Sequence, residues 1–224
     1  MIRLEVFSGP FDAAHAGAEL IVTTVLKAIR DRGTAFVALS GGRTPWPMFQ
    51  ELAKRELPWE KIIFFQVDER DCASGDDQRN LTHLLAALPS RARIEPMPVE
   101  AGMVGASIYA ARLAELLGQP PVLDLVHLGL GKDGHTASLV PGDPLLDEYY
   151  HDVAWSSDAY QGHRRMTLTY PLLNRARLIF WLVTGADKRP AVEGLLAGDA
   201  TLPAARLNAK QCILLADNKA VGTG

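Results

Sequence analysis

Apolar runs that read as buried strands recur along the chain at Phe36-Val-Ala-Leu-Ser40, Ile62-Ile-Phe-Phe-Gln-Val67, Leu123-Asp-Leu-Val-His-Leu128 and Leu178-Ile-Phe-Trp-Leu-Val-Thr184, and each leads into a glycine-rich or charged turn. Runs that do not alternate with polar residues belong to strands covered on both faces, which is the condition of a parallel sheet. Helical stripes lie between them. Ile21, Val22, Val25, Leu26 and Ile29 form one, stopped by Gly33; Leu81, Leu84, Leu85 and Leu88 form another before Pro89; Tyr109, Leu113, Leu116 and Leu117 form a third before Gly118. These are core faces. Strands that alternate with helices predict an α/β fold: a mostly parallel, doubly wound sheet with helices on both faces, in three Rossmann-like layers. In such sheets ligands bind just past the carboxyl ends of the strands, so the turns are where function is expected.

Length and composition set the outer bounds. At 224 residues and 48% hydrophobic content the chain can bury one sizeable core, and it reads as a single domain over 1–224. A net charge of −3 argues against a nucleic-acid surface. Cys72 and Cys212 form no CxxC pair, and no His or Cys cluster has ligand spacing, so neither a disulfide framework nor a metal site is expected. The start, Met1-Ile-Arg-Leu-Glu-Val, lacks a signal pattern and no apolar run reaches membrane-spanning length. The expectation is a cytoplasmic protein with no membrane partner. The region from Pro89 to Gly105 reads as a flexible crossover and Trp155 to Gly162 as a second loop.

The most informative turn is Gly129-Leu-Gly-Lys-Asp-Gly-His-Thr-Ala-Ser-Leu-Val-Pro-Gly142, which places Asp133 and His135 two residues apart at a strand end. Its Gly129-x-Gly131-x-x-Gly134 spacing formally matches a dinucleotide fingerprint. That motif must open a long helix, with an acid about 20 residues on that follows a second strand. Here Pro141 and Gly142-Asp-Pro144 intervene, and Asp147 and Glu148 follow a turn instead, so no dinucleotide cofactor is expected. A second turn, Ser40-Gly41-Gly42-Arg43-Thr44-Pro45, leads into a helix near Trp46. Free backbone N–H groups, the helix dipole and the Arg43 charge converge there on a site suited to phosphate, although the Gly-Lys-Ser/Thr ending of a Walker loop is absent. Asp68-Glu-Arg70 is either a solvated loop or a wall of a shared site. Arg164 or Arg165 is carried to an edge by the strand pattern of Met166, Leu168 and Tyr170. Lys188 stands in the first turn of a helix, where a cation opposes the dipole unless an anion is near.

Five of these segments, in this order, resemble the 6-phosphogluconolactonase family, whose fold superfamily includes glucosamine-6-phosphate deaminase and ribose-5-phosphate isomerase. The carriers are Ser40-Gly-Gly-Arg-Thr-Pro45, Asp68-Glu-Arg70 with Asn80, Gly129-Leu-Gly-Lys-Asp-Gly-His-Thr-Ala-Ser138, Arg165-Met-Thr-Leu-Thr169 and Gly185-Ala-Asp-Lys188. The chain departs from the family at Arg43 and Arg79, where serine is frequent, at Ala73-Ser74, where Val-Pro is frequent, and at Val140, where phenylalanine is. The resemblance implies hydrolysis of the ring ester of 6-phospho-D-glucono-1,5-lactone in the oxidative pentose phosphate pathway, with no cofactor.

On that reading a lactone carbonyl needs activated water, and His135 is the side chain suited to serve as general base, oriented or charge-balanced by Asp133. His15, His83, His127, His151 and His163 are expected to be surface or packing residues. The substrate phosphate is expected on the Gly41 and Gly42 amides beside Ser40 and Thr44, with Arg165 and Lys188 around it and Arg43 either reaching it or lying along the surface. Asp68 is a candidate for the sugar hydroxyls and Arg70 for the oxyanion. Two rivals share the turns. An amino-sugar phosphate deaminase or isomerase is implied to need a glutamate shortly after the histidine, where this chain has Leu139-Val140-Pro141. A non-catalytic sugar-phosphate sensor is implied to carry an added DNA-binding segment.

Overall fold

The structure, a computed structural model, describes residues 1–223. The strands are β1 (Ile2–Phe7), β2 (Ala35–Leu39), β3 (Ile62–Gln66), β4 (Asp68–Arg70), β5 (Arg93–Glu95), β6 (Leu125–Leu128), β7 (Val153–Trp155), β8 (Arg165–Leu168), β9 (Ile179–Val183) and β10 (Cys212–Asp217). The α-helices are α1 (Pro10–Arg32), α2 (Trp46–Ala53), α3 (Asn80–Ala87), α4 (Gly105–Leu117), α5 (Tyr170–Arg175), α6 (Arg189–Ala197) and α7 (Asn218–Val221).

Seven strands form one wholly parallel sheet in the order β1-β10-β9-β6-β2-β3-β5. Both faces are covered, as the uninterrupted apolar runs require. Along β9, Phe180 and Leu182 join a core with α1, α2 and α3, while Ile179, Trp181 and Val183 join the opposite core with α4, α5 and α6. From β2 the chain winds through α2 to β3 on one side, and it later returns through α4 to β6 on the other. The strand order therefore reverses between β2 and β6, and the two glycine turns leave from that switch point, where open α/β sheets form their crevice.

Several expectations change on contact with the tertiary structure. The Asp68–Arg70 segment is neither loop nor part of the main sheet: it is the first strand of a separate antiparallel sheet, β4-β8-β7. Three-residue strands offer too little pattern to be read from sequence. Pro89–Gly105 is not a plain crossover, because β5 pairs in parallel with β3 and Val99–Val104 forms a 3-10 turn. Leu26 and Leu85 are 44% and 60% exposed, so both leave the core stripes assigned to them. The reason on α1 is its own small-residue face. Ala13, Ala14, Gly17, Ala18, Ile21, Val25 and Ala28 are buried, and a Cβ on Gly17 would come within 2.6 Å of Met48 Sδ on α2. Small residues that let the Met48 and Phe180 side chains close on the helix mark the side of α1 that faces in.

Candidate active site

At the carboxyl ends of β2, β3, β6 and β9 lies a cavity of about 500 Å³, walled on its other side by β4, β8 and the segment before β8. Ser40, Gly41, Gly42, Arg43, Thr44, Asp68, Arg70, His135, Arg165 and Lys188 all line it. The candidate residues named from sequence therefore converge, with the exception of Asp133, which stands behind His135.

The turn after β6 is stiffened from within. Gly131 N donates to His135 O (2.8 Å), Gly134 N donates to Gly131 O (3.1 Å), and Thr136 and Leu139 exchange backbone bonds. Thr136 Oγ1 donates to Gly129 O (2.9 Å), and Ala137 takes a left-handed φ of 53°. No helix follows Gly134 at once, which removes the dinucleotide reading. The compact loop folds His135 back on Asp133, with Nδ1 2.6 Å from Oδ1. Gly131 makes room for this: a Cβ there would overlap both His135 Nδ1 and Asp133 Oδ1. Partial burial opposes the Asp133 charge, but hydrogen bonds from the His135 ring and backbone and from Tyr160 outweigh it and hold the carboxyl below its ordinary range. A carboxylate only accepts, so in the neutral ring Nδ1 carries the proton and Nε2 the lone pair.

The turn after β2 is different in kind. Ser40 N donates to His127 O (3.2 Å), after which the amides of Gly41, Gly42, Arg43 and Thr44 find no protein acceptor among the described residues. Ser40 Oγ is buried and likewise without a protein partner there. Gly42 has φ 103°, and α2 starts at Trp46 with its amino end toward this turn. Across the cavity Lys188, between β9 and α6, donates from Nζ to Leu130 O (2.8 Å). Burial lowers its pKa, against the pull of Asp187.

The small sheet supplies the remaining wall. Arg70 and Arg165 stand directly opposite in register. Like charges so placed repel, and an anion between them removes the penalty. Arg165 is 6% exposed, its Nε has no protein partner among the described residues, and burial works against its charge. Asp68 lies 3.8 Å from Arg165 Nη1 and accepts a hydrogen bond from Ser138 Oγ (2.6 Å).

Asn80 ties these groups together. Its Nδ2 donates to Asp68 O (2.9 Å) and Oδ1 (3.2 Å), its Oδ1 accepts from Arg70 Nη1 (3.1 Å), and Gly41 packs so closely that a Cβ there would overlap the amide. Beneath it the fully buried Glu69 accepts from the backbone N–H groups of Arg70, Asn80 and Leu81. A carboxylate at the first amides of α3 also suits that helix's dipole. Arg79, a departure noted in the sequence, balances the buried charge: its Nε is 3.1 Å from Glu69 Oε2 and its Nη1 is 2.7 Å from Glu100 Oε1.

Sequence reasoning assigned no role to Ser138, Asn80, Glu69 or Tyr160. Ser138, Asn80 and Glu69 stood within motifs already singled out; Tyr160 carried no local signal. Of the other histidines, His127 is fully buried between Phe49 and Phe180 and its pKa is pushed down to about 3 by burial, which makes it a packing residue. Among the described residues no group of three or more His, Cys, Asp or Glu side chains could share a metal ion, and no helix is long and apolar enough to cross a membrane.

Comparison with known proteins places the chain in a family and a fold. A 6-phosphogluconolactonase of Synechocystis sp. is 40% identical over 191 residues, which is 80% of this chain and 79% of that protein. The structure of 6-phosphogluconolactonase from Trypanosoma brucei superposes with a TM-score of 0.86 at 26% identity, covering 99% of this chain and 98% of that one. A monomeric glucosamine-6-phosphate deaminase shares the fold, with a TM-score of 0.82 at 18% identity and full coverage of both chains. The family described as glucosamine-6-phosphate isomerases/6-phosphogluconolactonase matches residues 9–215, and the chain belongs to it.

Proposed function

We propose that this chain is a hydrolase of 6-phospho-D-glucono-1,5-lactone, forming 6-phosphogluconate in the oxidative pentose phosphate pathway, with residues 1–224 acting as one catalytic domain. The observation that carries the reading is the pairing, in one cavity, of the Asp133–His135 dyad with a turn of unpartnered amides flanked by cations. The phosphate sits on the Gly41 and Gly42 amides and the hydroxyls of Ser40 and Thr44, with Lys188, Arg165 and Arg43 around its charge. Binding energy from this unreactive end holds the carbonyl carbon near His135.

His135 Nε2 takes a proton from water as the hydroxide adds to C1. The carbonyl oxygen becomes an oxyanion, stabilised by Arg70, while Asp133 balances the imidazolium. Collapse of the intermediate breaks the bond from C1 to the ring oxygen, which takes the proton from Nε2 and leaves as the 5-hydroxyl. Asp68, held by Ser138 and Asn80, accepts from the sugar hydroxyls. No step calls for a cofactor or a metal, and no nucleic acid takes part. A phosphorylated sugar does not cross a bilayer unaided, so the enzyme works in the compartment where its substrate is formed, which we propose to be the cytoplasm.

The test is lactone hydrolysis by purified protein, with the spontaneous rate subtracted. His135→Ala is expected to lose about 10²–10⁴-fold in catalysed rate while phosphogluconate binding persists. Excess chelator should leave the rate unchanged. Glucosamine 6-phosphate should yield no ammonia, because the buried Leu139 and Val140 fill the stretch where a shuttling carboxylate is needed. A folded His135→Ala with near-parental turnover would refute the base assignment, and ammonia release at enzymatic rates would refute the reaction.

A further inference from the structure

Tyr160 lies in the segment between β7 and β8, where Gln161 has φ 53° and Gly162 has φ 85°. The hairpin is closed by the backbone bonds Tyr160 N to His163 O (3.0 Å) and His163 N to Tyr160 O (3.4 Å). From there the side chain reaches the dyad. Its hydroxyl donates to Asp133 Oδ2 (3.2 Å) and stands 3.4 Å from His135 Nδ1. Its ring meets the imidazole edge-on, with centroids 5.2 Å apart. The other face of the contact belongs to Arg165, whose Cζ lies 5.5 Å from the ring centroid and whose Nη2 donates to Tyr160 O (3.4 Å).

We infer that Tyr160 is a positioning residue of the reaction: by occupying Asp133 Oδ2 it leaves only Oδ1 for the imidazole, and by stacking on Arg165 it ties the dyad to the anion-binding wall. The inference rests on the reading of His135 as general base. An aspartate with one oxygen unbonded can turn about its last torsion and present either oxygen, and the imidazole it holds then loses a single orientation. A hydrogen bond to Oδ2 removes that freedom. Burial and the Asp133 charge raise the Tyr160 hydroxyl above its ordinary range, so it stays a donor. The side chain is absent from the cavity lining, whereas its neighbour Gln161 lines it, so its action runs through Asp133 and not through the substrate.

The test is Tyr160→Phe, which deletes the hydroxyl and keeps the ring over Arg165, measured in the full chain beside His135→Ala, Asp133→Asn and the Asp133→Asn, Tyr160→Phe double variant. We expect kcat to fall about five- to tenfold with KM and phosphogluconate affinity unchanged. The fraction of His135 carrying its proton on Nδ1, read from ¹⁵N-coupled NMR of the imidazole, should fall with it. In the Asp133→Asn background the same change should cost nothing further, because the hydroxyl no longer has a carboxylate to hold. Parental kcat and an unchanged tautomer in Tyr160→Phe, with His135→Ala inactive, would overturn the role of the tyrosine alone. A loss carried by KM would overturn it too, by placing the hydroxyl on the substrate. A His135→Ala variant with parental turnover would remove the base reading and this inference together.

Discussion

The two glycine turns at the switch point start from adjacent parallel strands and yet use their backbones in opposite ways. The turn after β6 commits its amides inward: Gly131, Gly134, Thr136 and Leu139 all donate to carbonyls of the same loop, and His135 N points to Asp133 Oδ1. The turn after β2 keeps four successive amides and the Ser40 hydroxyl without protein partners among the described residues. Amides half or fully open to solvent, as at Gly41 to Thr44, are free to bind a ligand, whereas the buried Ser40 hydroxyl costs stability by standing unpaired unless one supplies its partner. One turn is a mount for a side chain; the other, on the proposed reading, is a receptor for an anion. The lesson is that glycine content alone does not distinguish the two uses, whereas the fate of the amides does.

The sharpest way to break the comparison is to disturb the mount. Gly131→Ala puts a methyl where the His135 and Asp133 side chains now meet, and neither the dyad nor the hydrogen-bonded loop can yield without losing the 2.6 Å contact. The expected result is a loss of about 10²-fold or more in kcat, with phosphogluconate affinity changed little. Gly42→Ala probes the receptor in contrast. Its Cβ meets nothing within 4 Å, but a φ of 103° is strained for alanine, so the damage should fall on binding. Steady-state kinetics paired with calorimetric binding of phosphogluconate separates the two, and equal losses of affinity in both variants would erase the distinction.

Next in size come the cations of the receptor. Lys188→Ala and Arg165→Ala should each cost about 1.5–3 kcal/mol in kcat/KM, the range for a charge-assisted hydrogen bond, because on the proposed reading they contact the group that does not react. The pH dependence has a definite sign. Burial lowers the Lys188 pKa, so its ammonium is present at low pH and is lost earlier than that of an exposed lysine as pH rises. Phosphogluconate affinity should therefore decline on the alkaline side, and Lys188→Arg should carry the binding on to higher pH. Flat affinity across the alkaline range in the parent protein would mean that Lys188 does not bear on the anion.

Much of this architecture was legible beforehand, for reasons that can be stated. The parallel sheet followed from apolar runs such as Ile62–Val67, whose lack of alternation has few other causes, and both turns followed from glycines and charges at strand ends. The dyad was legible because Asp133 and His135 are close in sequence. What escaped notice depends on distance along the chain. Tyr160 meets Asp133 only because β7 and β8 bring their connection over the β6 turn, and Asn80 meets Gly41 only across the sheet edge. Glu69 looks like one member of a surface charge run until β4 is seen to be buried and Arg79 is found beside it. Leu26 and Leu85 failed as core residues for the same reason, since periodicity marks an apolar face but not which part of it a neighbour covers.

The smallest effect tests the receptor at its most economical point. Ser40 Oγ is buried with no protein partner among the described residues, so Ser40→Ala removes a polar atom that contributes no internal hydrogen bond. Stability should hold or rise slightly, since an apolar group of nearly the same shape replaces an unpaired hydroxyl in a buried place. Binding should move the other way, with phosphogluconate affinity falling by about 1 kcal/mol, the net worth of one hydrogen bond, and kcat for the lactone untouched. The two changes are measured independently, by thermal unfolding without ligand and by calorimetry with it. A mount residue behaves in reverse: Thr136→Ala deletes the bond from its hydroxyl to Gly129 O and should lower the melting temperature before it affects anion binding. If instead Ser40→Ala destabilises the empty protein while leaving affinity intact, the hydroxyl is serving the fold, and the turn after β2 is a second mount rather than a receptor.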